Sequence, residues 1–400
     1  MRRKLKLILL LPAAAALALS LVALWPFRRV RLGQLASARI GPFVTGVEAY
    51  LCRNVAGLNG EQRSCDLFYF QDYVCNSEVA RQWRARLRVI PFSNVAYVAA
   101  RLLARFKTLA FRHLIPPEEM SWFGLAAERA IHKYRGHLAI SADFAHTADK
   151  LVARMTRGRP FVCLHVRDST YLRRTQPRAD YSYHDYRDWL ADSLLPAIRE
   201  LTDRGYCLVR MGAAVDGAFP LAGENILDYA LSEHRSDEMD LYLASRCAFW
   251  LGAASGLADV SMAFRRPQLF VNFVSPLIPG EPRITVFEHS LWIFKKYWSR
   301  ARGRLMTFRE ILDTGAGGLY RSEEFSAAGI ELIDNSPQEI RDATLEMLGR
   351  LNGTWKESAE DCALQGRFWS LWGEAARQHA AQARVLIGAR FLSANPELLN

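Results

Sequence analysis

The sequence contains no CxxC pair, and its seven cysteines are an odd number with irregular spacing. Zinc sites built from thiolates and disulfide frameworks both need paired or regular spacing, so neither is expected. Cys163, Cys207 and Cys247 lie within or beside apolar runs, where a free thiol behaves as a small apolar group. This pattern is typical of a protein from a reducing compartment.

Two glycine-rich nucleotide motifs are also absent. No GxGxxG follows a predicted strand, which disfavours a dinucleotide enzyme, and the lack of a Walker A sequence disfavours phosphoryl transfer on a P-loop. Residues 1–31 hold seven Lys or Arg and no acid, so the remaining 45 basic and 41 acidic residues contribute only +4 to the net charge of +11. With no later basic run, we do not expect nucleic acid as a partner.

One long apolar run, Leu7–Trp25, is interrupted only by Pro12 and Ser20. At a rise of ~1.5 Å per residue it could cross a hydrocarbon core of ~30 Å as a helix. The run ends in Trp25-Pro-Phe-Arg-Arg and not in the small residues of a cleavage site, so residues 1–27 are predicted to be a retained membrane helix. Basic residues on both flanks leave its orientation open, and a shallow helix kinked at Pro12 also fits.

The rest of the chain alternates between two kinds of pattern. Short apolar runs predict strands at Phe161–Val166, Tyr206–Arg210, Asn225–Tyr229, Cys247–Gly252 and Gln268–Phe273, and helical spacing predicts helices at Tyr186–Leu201, Asp237–Ser245, Ser255–Phe264 and Pro337–Leu351. Such alternation is typical of a parallel sheet covered by helices on both faces. We therefore predict an α/β protein with two Rossmann-like domains, at 28–155 and 156–350, followed by helices at 351–400.

Polar residues follow several of the predicted strands. They are His165, Arg167 and Asp168 after the first strand, Arg210 and Gly212 after the second, Asp228 and Tyr229 at the third, and Ser255 and Gly256 at a strand-to-helix turn. The carboxyl ends of parallel strands meet at one edge of the sheet, where ligands bind. Each group alone is also explained by an ion pair or a turn, but together they predict a ligand site.

The residue types in this predicted site indicate an anionic ligand. Arginine binds phosphate bidentately, an open helix N-terminus binds anions through its amides, and a carboxylate accepts hydrogen bonds from ribose hydroxyls. A nucleoside diphosphate combines all three features. A basic aromatic stretch, 294–298, is open to two interpretations, stacking on a ligand or packing against the domain.

Several motifs carry a resemblance. His165-Val-Arg167-Asp168, Arg210-Met-Gly212, Asp228-Tyr229-Ala230, the segment 235–243 and Ser255-Gly256 resemble those of a family of largely uncharacterised bacterial glycosyltransferases. More distantly, His165-Val-Arg167 is similar to the HxR motif of GT-B fucosyltransferases. The resemblance implies a GT-B-like fold with a cleft between two domains, a nucleotide-sugar donor, and no metal or other cofactor.

The resemblance also implies roles for individual residues. It implies Arg167, with Ser255 and Gly256, at the diphosphate and Asp228 or Asp237 near the nucleoside. Arg210, Gly212 and Tyr229, at the ends of neighbouring predicted strands, complete the expected donor-binding residues. Arg31 and Gly33 would face the cleft on the acceptor side. The carboxylate that follows the motif in core fucosyltransferases has no counterpart between Asp168 and Asp180. Asp168 and His165 are therefore the expected catalytic residues, and His184 and Asp185 are lesser candidates for the base.

The expected function is transfer of a sugar from a nucleotide donor to a cell-surface glycan or a lipid-linked acceptor, such as lipopolysaccharide or capsule. The expected place is the bacterial inner membrane, with the catalytic part in the cytoplasm. Two other classes stay open, a non-catalytic glycan-binding or assembly protein on the same fold and a cofactor-binding oxidoreductase.

Overall fold

A computed structural model describes residues 9–59, 64–121, 131–167, 170–175, 180, 182–215, 217–274, 277–278, 281–282 and 288–400. The chain divides into two compact units, Met1–Ala139 and Ile140–Asn400. Each unit has its own strands and buried apolar side chains, and each is described by itself.

The first unit is built on a parallel pair of strands. In chain order its elements are α1 (Leu11–Leu24), β1 (Val30–Leu35), α2 (Ile40–Val55), β2 (Cys65–Phe70), α3 (Ser77–Arg86), α4 (Ser93–Leu103) and α5 (Lys107–His113). β1 and β2 run in register from Val30 opposite Cys65 to Leu35 opposite Phe70. The last three residues of β2, Phe68, Tyr69 and Phe70, are buried.

Helix α1 replaces the predicted membrane-spanning segment. It has 14 residues, or ~21 Å at the usual rise, and its Ala14, Ala18 and Leu21 are buried against α4. Among the described residues, no helix combines the length and the apolarity that crossing a bilayer requires. The expectation of a spanning helix is thus not supported, because one face of this segment belongs to the core of the first unit.

The second unit contains a seven-stranded sheet. Its strands are β3 (Phe161–His165), β4 (Cys207–Arg210), β5 (Ile226–Leu227), β6 (Trp250–Gly252), β7 (Gln268–Phe273), β10 (Ser290–Phe294) and β14 (Leu386–Ile387). Their spatial order is β14-β10-β7-β6-β3-β4-β5, and every neighbouring pair is parallel. The prediction of an α/β protein with a parallel sheet is confirmed.

Smaller strands and helices complete the second unit. The strands are β8 (Leu277–Ile278), β9 (Glu281–Pro282), β11 (Lys296–Ser299), β12 (Arg304–Leu305) and β13 (Ile330–Ile333). The helices are α6 (Ala142–Thr156), α7 (Thr170–Thr175), α8 (Leu195–Asp203), α9 (Asp237–Arg246), α10 (Gly256–Ala263), α11 (Phe308–Asp313), α12 (Ser322–Ala327), α13 (Pro337–Leu351), α14 (Ala359–Trp369), α15 (Glu374–Ala383) and α16 (Ala389–Ala394). The stretch 294–298 forms strand β11 and the end of β10.

The predicted helix Tyr186–Leu201 is wrong over its first half. The chain instead forms short single turns at Ser182–Arg187 and Ala191–Leu194 before α8 begins at Leu195. Pro196 explains the break, because proline lacks the N–H that a helix interior needs and is tolerated in the first turn. This break leaves Arg187 and Asp188 outside any long helix.

Candidate functional site

The seven-stranded sheet reverses its direction of growth between β3 and β6. From β3 the chain builds outward through β4 and β5, then returns to place β6 on the other side of β3. His165 at the end of β3 is paired with Gly252 at the end of β6. In open parallel sheets ligands bind outside the carboxyl ends of the strands at such a switch point, so this edge of the sheet is the candidate site.

Gly252 allows the two strands to approach closely at the switch point. Its φ is +148°, and a Cβ added there would stand 2.0 Å from the carbonyl oxygen of His165. A side chain at this position would force the backbone apart. The imidazole of His165 stacks on the Trp250 indole, with ring centroids 6.1 Å apart.

The turn after β6 leads into the N-terminus of α10. Ser255 occupies the N-cap position without forming a capping bond, and among the described residues its buried Oγ has no hydrogen-bond partner. Gly256 is the first residue of the helix. The first amides of a helix have no partner within it and carry partial positive charge, so this turn is suited to bind an anion.

Two arginines lie near this turn. Arg167 Nη1 donates to Asp188 Oδ1 at 2.6 Å, and Arg187 Nη2 donates to the carbonyl oxygen of Ala254 at 2.6 Å. Burial, together with the nearby charge of Arg167, lowers the pKa of Arg187 to about 10. With a pKa of about 10, the Arg187 guanidinium still carries charge at neutral pH, and its repulsion from Arg167 favours an anion beside them.

A third cation comes from the end of β10. Lys295 is 5% exposed, and its Nζ donates to the carbonyl oxygen of Asp188 at 3.0 Å and forms an ion pair with Asp334 Oδ1 at 2.7 Å. Asp188 therefore contacts Arg167 through its side chain and Lys295 through its backbone. Asp188, which lies in the broken segment before α8, thereby connects the residues that follow β3 with the residue that follows β10.

The carboxyl of Asp259 adds little negative charge to this cluster at neutral pH. It lies in the first turn of α10, and burial raises its pKa to about 8 in spite of the opposing charge of Arg187. Two further carboxylates accompany the basic residues, since Asp188 pairs with Arg167 and Asp334 pairs with Lys295. We call the three basic residues Arg167, Arg187 and Lys295, with Ser255 and the N-terminus of α10, the cation cluster.

The structure places other expected donor residues in contact with one another. Arg210 Nη1 donates to Asp228 Oδ2 at 3.0 Å and to the carbonyl oxygen of Gly217, and Asp228 also accepts from the amide of Phe219. Gly212 accepts a hydrogen bond from Arg235 Nε at 3.1 Å. These contacts hold the loop after β4 against β5.

Tyr229 and Asp237 also have structural surroundings. Tyr229 is fully buried, and its hydroxyl donates to Asp240 Oδ1 at 2.8 Å. Burial raises the pKa of Asp240 to about 6. Asp237 opens α9 beside the N-cap Ser236, in the first turn where acids are favourable.

The two residues expected on the acceptor side lie inside the first unit. Arg31 is 1% exposed and is paired with Asp66 at 2.6 Å and Glu119 at 2.7 Å. Gly33 has no room for a side chain, because an added Cβ would stand 2.6 Å from Ile115 and 2.9 Å from Phe68.

The candidates for the base are only partly placed. Asp168 and the side chain of His184 lie outside the described residues. Asp185 is exposed in a single helical turn, where its carbonyl oxygen accepts from the Asp188 amide at 2.9 Å. His165 is thus the expected catalytic residue that the structure positions at the switch point.

One group of metal-ligating side chains occurs within the described ranges, in the first unit. The Cys52 thiol donates to Glu48 Oε1 at 3.6 Å, and His137 Nδ1 lies 3.2 Å from Glu48 Oε2. These contacts form an internal hydrogen-bond network. The group belongs to a different unit from the cation cluster.

The sequence patterns missed Arg187 and Asp259, and they included Lys295 only as a member of the basic aromatic stretch 294–298. Arg187 was assigned to a helix, although Pro196 within that stretch was a signal that the helix begins later. Lys295 follows Ser290–Phe294, an apolar run with the length of a buried strand, and a search of all strand ends would have included it. Nothing in the sequence distinguishes Asp259 from an ordinary acid in a first helical turn.

No protein-family profile matches the chain, and no curated protein matches it. Among solved structures, 25 chains match. A glycosyl transferase family 9 protein from Veillonella parvula has 10% identity and a TM-score of 0.45, with 80% of this chain and 98% of that chain covered. The ADP-heptose lipopolysaccharide heptosyltransferase II of E. coli has 13% identity and a TM-score of 0.38, with coverages of 74% and 98%. At these scores and identities the likenesses carry no argument about function.

Proposed function

We propose that this chain is a GT-B glycosyltransferase that moves a sugar from a nucleotide-sugar donor to a glycan or lipid-linked acceptor. The observation that carries the proposal is the cation cluster at the switch point between β3 and β6. Three basic side chains and an open helix N-terminus there are suited to a diphosphate. The HxR-like motif formed by His165 and Arg167 supports a sugar nucleotide among diphosphate ligands.

In the proposed reaction the donor diphosphate lies against Arg167, Arg187, Lys295 and the first amides of α10. The acceptor hydroxyl oxygen forms a bond to the anomeric carbon of the sugar, and the bond from that carbon to the diphosphate oxygen breaks. The diphosphate leaves with its electron pair. Positive groups fixed before the reaction stabilise that developing charge, which is the contribution a metal ion would otherwise make.

The acceptor proton needs a base within hydrogen-bond reach. We assign this role to His165 or Asp168, which follow one another closely at the end of β3. Asp228 or Asp237 would contact the nucleoside, an assignment that rests on the family resemblance. Arg31 and Gly33 would act on the acceptor side only indirectly, by shaping β1, since both are enclosed by neighbouring side chains.

We place the reaction on the cytoplasmic side of the bacterial inner membrane. Cys163 and Cys247 are buried thiols that lie close enough to interact and form no disulfide. Neighbouring free thiols are stable in a reducing compartment, where disulfides are rare. Nucleotide sugars as a substrate class are compatible with the same compartment.

A thermal-shift panel on the full chain tests the proposal. GDP, UDP, ADP, CMP and dTDP would each be added with and without a sugar, and NAD and NADP would serve as the oxidoreductase arm. A ligand at ~100 times its Kd stabilises by about 2.7 kcal/mol, so one nucleoside diphosphate should raise the melting temperature by several degrees. Selective stabilisation by a nicotinamide nucleotide would instead support an oxidoreductase.

Activity separates a transferase from a binding protein on the same fold. The full chain, incubated with the selected nucleotide sugar, should release free nucleoside diphosphate by slow hydrolysis and faster when an acceptor is present. Binding without any release, with or without a bacterial glycolipid extract, would favour the non-catalytic alternative. Addition of EDTA should leave the rate unchanged if the basic side chains supply the positive charge.

A further inference from the structure

Helix α1 has two apolar faces with different surroundings. One face is buried against α4, whereas the other exposes Leu11, Leu19 and Leu24 at 41%, 69% and 46%. Ser20 lies on the exposed face, but its hydroxyl donates to the carbonyl oxygen of Ala16 at 2.8 Å. The exposed face therefore offers water almost no polar group, although folding of the first unit has already used the opposite face.

The exposed apolar surface continues beyond the end of the helix. Phe27 is 87% exposed, and Phe111 on α5 is 76% exposed. Arg29 joins the two segments, because its Nη2 donates to the carbonyl oxygen of Phe111 at 2.7 Å and its Nε to that of Arg112 at 2.9 Å. We call Leu11, Leu19, Leu24, Phe27 and Phe111 the N-terminal face. Exposed apolar patches of this kind mark binding surfaces.

The chain segments that carry the N-terminal face contain charges of one sign only. The segments 9–47 and 91–117, which contain α1, β1, the first half of α2, α4 and α5, have no Asp or Glu. Their cations include the exposed Arg28, Arg105 and Lys107. The guanidinium of Arg112 lies 4.7 Å from the centre of the Trp25 ring. Apolar side chains, an amphipathic tryptophan and a cationic rim together are typical of a helix that lies in a membrane interface.

We propose that the N-terminal face docks onto an anionic lipid bilayer with α1 parallel to its surface. The apolar side chains would enter the boundary between headgroups and acyl chains, and the basic rim would contact anionic headgroups. A second copy of this chain would fit the face less well, because two cationic rims would repel one another. The proposal does not depend on the transferase activity, since none of these residues belongs to the cation cluster.

Co-sedimentation of the full chain with lipid vesicles tests the docking. Vesicles of phosphatidylcholine alone would be compared with vesicles containing about 30 mol% phosphatidylglycerol, at low and high salt. Binding should be at least about tenfold stronger to the anionic vesicles, because each basic side chain near the surface adds its own electrostatic attraction to the anionic headgroups. Binding should weaken at high salt, because salt screens this attraction.

Charge substitutions on the N-terminal face and its basic rim locate the docking surface. Leu19→Glu should lower the partition coefficient by about tenfold or more, because a charge would enter the apolar boundary. Arg28→Glu with Lys107→Glu should remove most of the preference for anionic vesicles. The matched control is Leu351→Glu, at a side chain of the second unit that is 40% exposed, and it should bind as the unchanged chain does. Circular dichroism would check that each variant is folded.

Three outcomes would overturn the proposal. The first is equal binding by folded Leu19→Glu and the unchanged chain, and the second is no preference for anionic vesicles. The third is self-association without vesicles that Leu19→Glu abolishes, which would assign the face to a second copy. If Leu19→Glu loses vesicle binding but still binds the nucleotide, membrane docking is supported. The transferase proposal is then tested separately by the activity assay.

Discussion

Arg31 in the first unit and Arg187 in the second are both enclosed arginines near parallel strands, but their pKa values move in opposite directions. Burial alone would lower the pKa of Arg31, yet hydrogen bonds and charges from Asp66 and Glu119 raise it above its ordinary value. For Arg187, burial and the neighbouring Arg167 lower the pKa to about 10. The Arg31 guanidinium therefore faces two carboxylates, which is more negative charge than it can neutralise. The Arg187 guanidinium has too little negative charge nearby to offset its burial and the repulsion from Arg167.

This difference separates a structural arginine from a ligand-binding one. The carboxylate of Asp66 also accepts from Tyr50 at 2.6 Å, so the Arg31 network is closed by protein groups alone. In the cation cluster, Arg187 donates to the carbonyl oxygen of Ala254, a neutral acceptor. A cluster that keeps repelling cations together gains stability when an anionic ligand enters it.

The largest expected effect comes from breaking the closed network. Arg31→Met should lower the free energy of unfolding by about 3–5 kcal/mol, because Asp66 and Glu119 would remain enclosed without their cation. Denaturant unfolding of the full chain measures the loss. Nucleoside diphosphate affinity of the folded fraction should stay unchanged. A loss below about 1 kcal/mol would mean that water replaces the guanidinium at little cost.

The next effect should fall on binding and not on stability. Arg167→Gln should weaken nucleoside diphosphate binding by roughly 2–4 kcal/mol, because it removes a charged contact from a partly enclosed site. Unfolding should change by less than about 1 kcal/mol, since Asp188 is partly exposed and can be solvated. Titration calorimetry measures the affinity.

A control for this variant is Arg300→Gln. The side chain of Arg300 is 61% exposed and is paired with Glu331 only at 4.0 Å, so affinity and stability should both stay as they are. If Arg167→Gln bound the ligand as tightly as this control does, the cation cluster would not be the diphosphate site.

A further effect is a pH dependence of stability set by Asp259. Because the pKa of this carboxyl is raised to about 8 in the folded chain, the folded state holds a proton that the unfolded state loses from about pH 4 upward. The free energy of unfolding should therefore fall as pH rises from about 4 to 8, and this fall should be reduced in Asp259→Asn.

The affinity for a diphosphate should also depend on the ionisation of Asp259, but over a higher pH range. Above about pH 8, ionised Asp259 adds negative charge to the cluster, so diphosphate affinity of the unchanged chain should fall by about fivefold, on the order of 1 kcal/mol. Asp259→Asn should keep its affinity between pH 7 and 9. If the affinity of both chains changed with pH in the same way, Asp259 would not lie close to the bound ligand.

The elements that depend on local signals could be predicted from the sequence. β7 was predicted as Gln268–Phe273 and α13 as Pro337–Leu351, with the bounds that the structure has. The second is fixed by a capping box, in which Ser336 accepts from the Glu339 amide and the Glu339 carboxylate accepts from the Ser336 amide. Such signals act within one turn of helix and need no tertiary contact.

The cation cluster could be predicted only in part, because its members come from distant segments. Arg167 and Ser255 follow strands that the apolar pattern identifies. Lys295 joins them only through the position of β10 in the sheet, and strand order is not written in any local pattern. Arg31 is expected from the sequence to face the cleft, but in the structure Asp66 and Glu119 enclose it. These two side chains lie 35 and 88 residues away along the chain, so no local pattern reveals the enclosure.

The packing of α1 has a consequence for how the protein can be prepared. Removing the first 27 residues, the usual way to obtain a soluble form of a chain with an apolar N-terminus, would uncover Ala96, Ala99 and Leu103, which now pack against that helix. The shortened protein would lose the exposed apolar face of α1 but would expose the apolar face of α4, and it would tend to aggregate. Purification of the whole chain in mild detergent or lipid nanodiscs avoids this exchange.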